Sequence, residues 1–192
     1  MTGTITSGCV GPFERISGSF QWQAGQRLYS ISSGHAGLRS TQAYGAWYFR
    51  FFKLTGGSVI NTNLTSSLND VFTNANNEGY CFRIRSDGEL RLTRFTIGAD
   101  TDIYSGEHNI ASDIEYEIFI TRDSTNEFSI YIKGGVWVDW TLLKQVTDAT
   151  HTTSAWFGSR PSTGCYIEKV TFFPYGMTLD PTTDDLSFLD DL

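Results

Sequence analysis

Residues 78–95 read EGYCFRIRSDGELRLTRF, and this stretch predicts a β-hairpin. Apolar side chains occupy every second position on both sides of the polar triplet 86–88, which is the period of a strand and not of a helix. A three-residue turn through that triplet places Ile84 opposite Leu90, whereas a two-residue Asp-Gly turn would place Ile84 opposite an arginine. Because the matching of core residues sets strand register, we expect the three-residue turn, with its glycine in the left-handed conformation.

Two other stretches show the same alternation, namely 44–53 (YGAWYFRFFK) and 116–135 (YEIFITRDSTNEFSIYIKGG). The second predicts a hairpin that turns through residues 123–126 and returns on the same face. The chain also carries 19 glycines and only four prolines, as expected of a protein with many tight turns. Ten to twelve short strands with frequent turns predict an all-β sandwich or barrel with almost no helix.

A length of 192 residues suits one domain with appendages. We expect an N-terminal arm over residues 1–15, a β-sandwich over 16–176 and an acidic tail over 177–192. The net charge is −7, and residues 180–192 hold five aspartates and no basic residue. The rest of the chain therefore has 16 acidic against 14 basic residues and is nearly neutral.

The charge and the apolar pattern also exclude several classes of partner. Nucleic-acid binding needs a basic patch, which a chain of net charge −7 does not suggest. No apolar run is long enough for a membrane helix, and the N-terminus lacks the features of a signal peptide. Three widely spaced cysteines, Cys9, Cys81 and Cys165, indicate free thiols in a reducing compartment and neither zinc nor a disulfide framework.

The order of these motifs resembles a known superfamily. It is an aromatic YGAWYF strand, the GYCFRIRSDGELRLTR hairpin, the YEIFITRD…FSIYIKGG hairpin and a final YIEKV strand. Over residues 15–175 the chain resembles the concanavalin A-like lectin/glucanase jelly roll in its laminin-G-like form, and is most similar to stand-alone domains of tailed-phage virion proteins. The resemblance implies an antiparallel sandwich of two sheets, one of them concave. In the lectins of this superfamily sugar binds at that face or its rim.

Three functions follow from the resemblance, since this fold hosts lectins, hydrolases and structural proteins. The first is a non-enzymatic structural or decoration protein on a phage capsid or tail, made in the host cytoplasm and bound to other virion proteins or to copies of itself. The alternative is a glycan-binding module for attachment to a host surface or mucus. The third is a glycoside hydrolase. None of the three requires a cofactor.

The candidate catalytic residues are Asp113, Glu115 and Glu117. Hydrolases of this fold carry a Glu-x-Asp-x-Glu strand whose outer glutamates are nucleophile and general acid, and a retaining mechanism needs two carboxyl groups about 5 Å apart. Here the first acid is shorter, and positions 113 and 117 of a straight strand lie about 13 Å apart. The alternative is that all three form the solvated face of a strand.

The candidate sugar-binding residues are Trp137, Asp139 and Tyr104. A tryptophan ring can stack on the apolar face of a pyranose, and Trp137 and Asp139 lie close together after Gly134-Gly135. The alternation predicts Trp140 in the core with Trp137 and Asp139 outward, and it places Tyr104 in a loop over residues 98–112. A buried or interface tryptophan is the alternative.

The candidate protein interface combines an arginine-rich hairpin face with the acidic tail. The arginines are Arg83, Arg85, Arg91 and Arg94, predicted on the face opposite Tyr80, Phe82 and Ile84. The tail residues are Asp184, Asp185, Phe188 and Leu189, which together are typical of a segment that orders on binding a partner. A solvated strand face and a disordered terminus are the alternatives.

No metal site is predicted. The three histidines, at positions 35, 108 and 151, share no ligand spacing. Asp100 and Asp102 are loop acids that would suit calcium, but the chain has no D-x-D-x-D-G loop.

Overall fold

The computed structural model describes residues 4–5, 9–10, 13–23, 27–40, 43–53, 59–67, 76–107, 110–161, 165–174 and 180–186. The first seven strands are β1 Thr4–Ile5, β2 Cys9–Val10, β3 Phe13–Gln23, β4 Arg27–Arg39, β5 Gly45–Lys53, β6 Ile60–Ser66 and β7 Gly79–Ile84. The other seven are β8 Glu89–Thr96, β9 Ala99–Glu107, β10 Glu115–Arg122, β11 Glu127–Gly134, β12 Trp137–Thr147, β13 Trp156–Pro161 and β14 Cys165–Pro174. No helix occurs in these described ranges.

The strands form two antiparallel layers joined by one long strand. Sheet A has the order β12–β11–β10–β5–β14, and sheet B has the order β13–β6–β7–β8–β9. The joining strand β4 pairs with β14 near its start, through Leu28 and Tyr29, and with β13 near its end, through residues 36–39. β3 pairs with β4, and β1 and β2 pair with β3, so the described parts of the predicted arm are hydrogen-bonded to the sandwich.

The main core lies between the two sheets. Phe49 of sheet A meets Phe82 of sheet B with ring centroids 5.8 Å apart, and Tyr80 meets Phe128 at 4.9 Å. Alternate residues of the paired strands point inward and supply these contacts. Among the inward-facing side chains, all buried, are Trp47, Phe51, Ile60, Leu64, Ile84, Leu90, Leu92, Ile118, Ile120, Ile130, Ile132 and Phe157. The predicted all-β sandwich is confirmed.

The register expected for the hairpin of β7 and β8 is also confirmed. Ile84 lies opposite Leu90, and the Arg85 amide donates to the Glu89 carbonyl at 2.9 Å across the three-residue turn. Gly88 has φ 84°, a conformation that favours glycine because it has no Cβ.

A second apolar cluster covers the outer face of sheet A. Its buried members are Ala46, Tyr48, Phe119, Tyr131, Phe173 and Leu186, and Trp140 packs against it partly exposed. Leu186 belongs to the predicted acidic tail, so at least residues 180–186 return to the sandwich. Phe119 and Phe173 lie 6.2 Å apart between ring centroids. Sheet A is therefore covered by apolar contacts on both faces.

Candidate functional site

Strand pairing arranges the outer face of sheet B into transverse rows. Residues that lie directly opposite one another on neighbouring strands project to the same face. The first row runs across five strands through Arg160, Asn61, Arg83, Arg91 and Ser105. The second row runs through Gly158, Asn63, Cys81, Thr93 and Asp102. The two rows give this face a dense set of polar side chains instead of an apolar patch.

The arginines of the first row are held by carboxylates. Arg91 places one terminal nitrogen 2.6 Å from Asp102 and the other 2.6 Å from Glu89. Arg83 lies 3.2 Å from Asp100, and its guanidinium stands 4.7 Å from the centroid of the Phe95 ring. The pairs orient each guanidinium and each carboxylate, so the face presents fixed donors beside fixed acceptors.

Glu89 is a further contact point of this network. It accepts hydrogen bonds from Arg91 and from the hydroxyl of Ser105, which hold the pKa of its carboxyl below the usual range. Arg85 also approaches Glu89, at 3.6 Å. Both partners of the Arg91–Glu89 pair therefore stay charged at neutral pH.

Asn63, in the second row, is fully buried and unpartnered. It has no exposed surface, and within the described part of the chain neither its amide nitrogen nor its amide oxygen has a hydrogen-bond partner. Leaving a buried polar group unpaired costs about 1–3 kcal/mol. Thr93 in the same row is equally buried, but its hydroxyl donates to Asp102 at 2.7 Å. Asn63 is thus a buried polar group whose partner must come from outside the described protein groups.

Arg94 does not belong to this face, so its predicted position was wrong. It lies opposite Tyr80 and has the same strand parity as Leu92, which points into the core. At the end of the sandwich its guanidinium lies 2.6 Å from the carboxylate of Asp148. The other three predicted arginines do share the outer face of sheet B.

A buried guanidinium that the sequence analysis missed lies near the same end. Arg122 is 1% exposed, and its guanidinium stands 4.7–4.8 Å from the ring centroids of Tyr44, Tyr80 and Phe128. Its nitrogens donate to the carbonyls of residues 43, 148 and 151 and to the side-chain oxygen of Asn126, at 2.7–3.1 Å. Burial lowers the pKa of Arg122. These contacts join loops at one end of the sandwich and indicate a structural role.

Asp148 completes this end of the sandwich. Burial acts to raise its pKa, but hydrogen bonds from Tyr80, Thr150 and Arg94 outweigh it and lower the pKa to about 2. The Tyr80 hydroxyl donates to this carboxylate at 2.7 Å. Asp148 is therefore an ionised acceptor and not a candidate general acid.

The three candidate catalytic acids do not form one row. Asp113 is exposed and lies in a turn before β10, with φ 64°. Glu117 accepts a hydrogen bond from the Tyr48 hydroxyl at 2.5 Å and lies 3.4 Å from Arg50 and 3.7 Å from Lys133. Glu115 lies 3.6 Å from Arg50. The glutamates are thus bound by cations on the outer face of sheet A.

The predicted sugar-binding residues are not brought together as expected. Trp137 packs against the main core, with its ring centroid 6.1 Å from that of Tyr116, whereas Asp139 is exposed. Trp140 lies on the outer face of sheet A and not in the core. The alternation through residues 136–143 is kept, but its faces are the reverse of those predicted, since Trp137 and Leu143 pack against the main core. The more apolar set with Val138 and Trp140 faces outward because β12 is the edge strand of sheet A. A bulge places residues 138–140 opposite Lys133 and shifts the register by two residues, which leaves the parity of the strand unchanged.

Tyr104 was also placed incorrectly by the sequence analysis. It lies in β9, not in a loop, and is 8% exposed within the main core. Burial raises the pKa of its hydroxyl to about 12. Tyr104 therefore offers no ring face for a sugar to stack on.

Two of the four predicted tail residues lie within the described part of the chain. Asp184 accepts a hydrogen bond from the backbone amide of Asp180 at 2.7 Å, and Asp184 and Asp185 are exposed. Phe188 and Leu189 lie outside the described residues. Leu186 is buried on the domain's own sheet, which differs from our expectation that the tail packs mainly on a partner.

Metal and membrane features are absent from the described ranges. No group of three or more histidine, cysteine or acidic side chains there is placed to hold a metal ion. The carboxylates proposed for calcium, Asp100 and Asp102, contact Arg83 and Arg91. Among the same residues there is also no helix of the length and hydropathy needed to cross a membrane.

Several solved structures with the same architecture bind or act on carbohydrates. The chain is similar to the carbohydrate-binding module CBM66 from Bacillus subtilis (TM-score 0.64, 11% identity, 84% of this chain and 95% of that one). It is also similar to the Ca2+/Man-bound exoplasmic/lumenal domain of VIP36 (TM-score 0.59, 13% identity, 95% and 86%). A native glycosidic hydrolase gives a TM-score of 0.56 at 12% identity (92% and 96%). The fold is a lectin-type jelly roll.

At such low identity the likeness establishes the fold alone. No family model matches the sequence, and no curated protein matches it. The concanavalin A-like architecture expected from the motifs is confirmed, while these neighbours give no support to a place on a phage particle.

Proposed function

We propose that this chain is a glycan-binding, lectin-like module and that the glycan binds on the outer face of sheet B. The observation that carries this proposal is the set of oriented donors and acceptors around Arg91, whose guanidinium lies 2.6 Å from both Glu89 and Asp102. A saccharide hydroxyl both donates and accepts hydrogen bonds. It can therefore accept from Arg91 and donate to Asp102 at the same time.

The charge balance of this face favours a neutral saccharide. Among the side chains that the structure describes, it carries four arginines and four carboxylates, which are Arg83, Arg85, Arg91, Arg160, Asp87, Glu89, Asp100 and Asp102. With charges of both signs in equal number, an acidic partner gains little net attraction, whereas neutral hydroxyls find donors and acceptors. Binding is expected to change little with salt concentration, because charge screening acts on net-charge attraction.

The comparisons support this proposal over the other two functions. A carbohydrate-binding module and a lectin with bound mannose share the fold. A hydrolase shares it too, but Glu115 and Glu117 are paired with Arg50 here. A virion location remains a separate proposal, to be tested by antibody labelling of particles.

A glycan array with three proteins tests the proposal. The wild-type chain should bind neutral glycans. Arg91→Lys should weaken that binding by roughly tenfold or more, because lysine keeps the charge but loses the bidentate hydrogen bonding of the guanidinium. Lys144→Ala, an exposed change on sheet A, should bind as wild type. Binding only to sulfated or carboxylated glycans, or equal binding by Arg91→Lys, would show that the proposed face is not the site.

A further inference from the structure

A second indole, Trp140, lies at the surface beside a bulge in β12. Between the pairs Gly134–Trp137 and Ile132–Thr141, residues 138–140 of β12 face the single residue Lys133 of β11. Val138 is 80% exposed, and Trp140 is partly exposed on the outer face of sheet A. Bulges of this kind re-aim side chains and are enriched next to binding sites.

The plane of the Trp140 ring is fixed by two aromatic neighbours. Tyr48 meets it edge-to-face with centroids 6.5 Å apart, and Phe119 does so at 6.2 Å. Both neighbours are fully buried, and both belong to the cluster that Leu186 of the tail completes. A partly exposed ring held in one orientation can stack on a ligand without losing side-chain freedom on binding.

Hydrogen-bonding groups lie beside this ring. The ammonium of Lys133 stands 6.0 Å from the Trp140 centroid and 3.7 Å from a carboxylate oxygen of Glu117. Glu117 is held in place by Tyr48 and Arg50, while the Lys133 side chain is 41% exposed and has room to move. With Arg50 and Glu115, the described side chains of this group are two cations and two carboxylates, whose net charge is zero.

We propose that Trp140, Lys133 and Glu117 form a second saccharide subsite, on the opposite sheet from the proposed glycan face. The C–H-rich side of a neutral pyranose would stack on the Trp140 ring, and its hydroxyls would accept from Lys133 and donate to Glu117. The zero net charge argues against an ionic ligand, and Lys133 already occupies the position of a cation beside the ring. The two sites share no residue, so the chain would be bivalent and able to cross-link glycans.

An NMR titration of the full chain tests the subsite. The chain has five tryptophans, and the indole N–H signal of Trp140 is assigned by its loss in Trp140→Phe. Methyl β-D-glucopyranoside, methyl β-D-galactopyranoside and methyl α-D-mannopyranoside are added to tens of millimolar, since single stacking sites bind with Kd on the order of 1 mM or weaker. We expect a saturable shift of the Trp140 signal as saccharide is added. Trp140→Ala should lose the saccharide response of this region, and Val138→Ala should respond as wild type does.

The outcomes separate the two proposals. If Arg91→Lys leaves the Trp140 shift intact and Trp140→Ala leaves the sheet B shifts intact, both sites stand. If the Trp140 signal is unmoved while sheet B responds, the subsite is wrong and the proposed function survives. If only the Trp140 signal responds, the subsite stands and the sheet B site fails.

A cation control tests the nature of the ligand. A shift of the Trp140 signal with tetramethylammonium but not with saccharide would overturn the subsite, because the ring would then be a cation site. If Trp140→Ala does not fold, Trp140→Phe and Glu117→Gln serve in its place, and both should weaken the Trp140-region response by several-fold.

Discussion

Replacement of Asn63 by leucine should make the protein more stable. Leucine is close to asparagine in shape and leaves no amide to be satisfied in a fully buried position. Removing an unsatisfied amide of this kind should stabilise the fold by about 1–3 kcal/mol, less whatever strain the leucine introduces. For a chain of this size, 1 kcal/mol corresponds to a rise in Tm of about 2–4 °C.

The assay is chemical and thermal unfolding of wild type and Asn63→Leu, with and without a saccharide identified on the array. At ten times Kd a ligand should stabilise wild type by about 1.4 kcal/mol, and Asn63→Leu by the same amount, because the buried amide lies out of the ligand's reach. Thr93→Val is the matched control in the same row. It deletes a hydroxyl that is bonded to Asp102, so it should destabilise by about 0.5–1.5 kcal/mol.

Loss of stability in Asn63→Leu would contradict this prediction. A destabilisation of more than about 1 kcal/mol would mean that the amide has good hydrogen-bond partners within the fold, as Thr93 does. Asn63 would then be an ordinary buried polar residue.

Four further predictions test other parts of the structure. Arg122→Met should lower the free energy of unfolding in urea by at least about 2 kcal/mol, because it leaves several buried oxygens without donors. A smaller effect would mean that water replaces the guanidinium. Asp148 has a pKa of about 2 in the folded chain against about 3.9 in the unfolded chain. Its contribution to stability is therefore present above about pH 4 and is lost as the pH falls through about 2. Asp148→Asn should flatten the dependence of stability on pH in this range. Burial raises the pKa of Cys81 to about 12, so its thiol should react with iodoacetamide only on unfolding, as peptide mass mapping would show. Neither wild type nor Glu117→Gln should release sugar from β-glucans, and release that Glu117→Gln abolishes would establish a hydrolase.

The local structure of the two hairpins could be predicted from the sequence. In the hairpin of β7 and β8, core matching selected one turn length, and the structure has the same pairs. In the hairpin of β10 and β11, Tyr116 and Phe128 point inward, as the alternation predicts. Such predictions succeed because the information lies within about twenty consecutive residues.

What the sequence did not predict depends on which face of an edge strand is buried and on distant pairing. Trp137 faces the core and Trp140 faces outward, because the more apolar side of VWVDW lies on the outer face of an edge strand. The row that joins Arg160 to Asn61 needs the pairing of β13 with β6, strands about a hundred residues apart in sequence. The isolation of Asn63 becomes visible only once its neighbours in the fold are known.

A crystal structure of the chain with a saccharide from the array would show whether a neutral glycan binds on the outer face of sheet B. We expect the sugar over the first row, with hydroxyls within about 3 Å of Arg91 and Asp102. A saccharide bound elsewhere, with no contact to Arg91 or Asp102, would show that the proposed site is wrong.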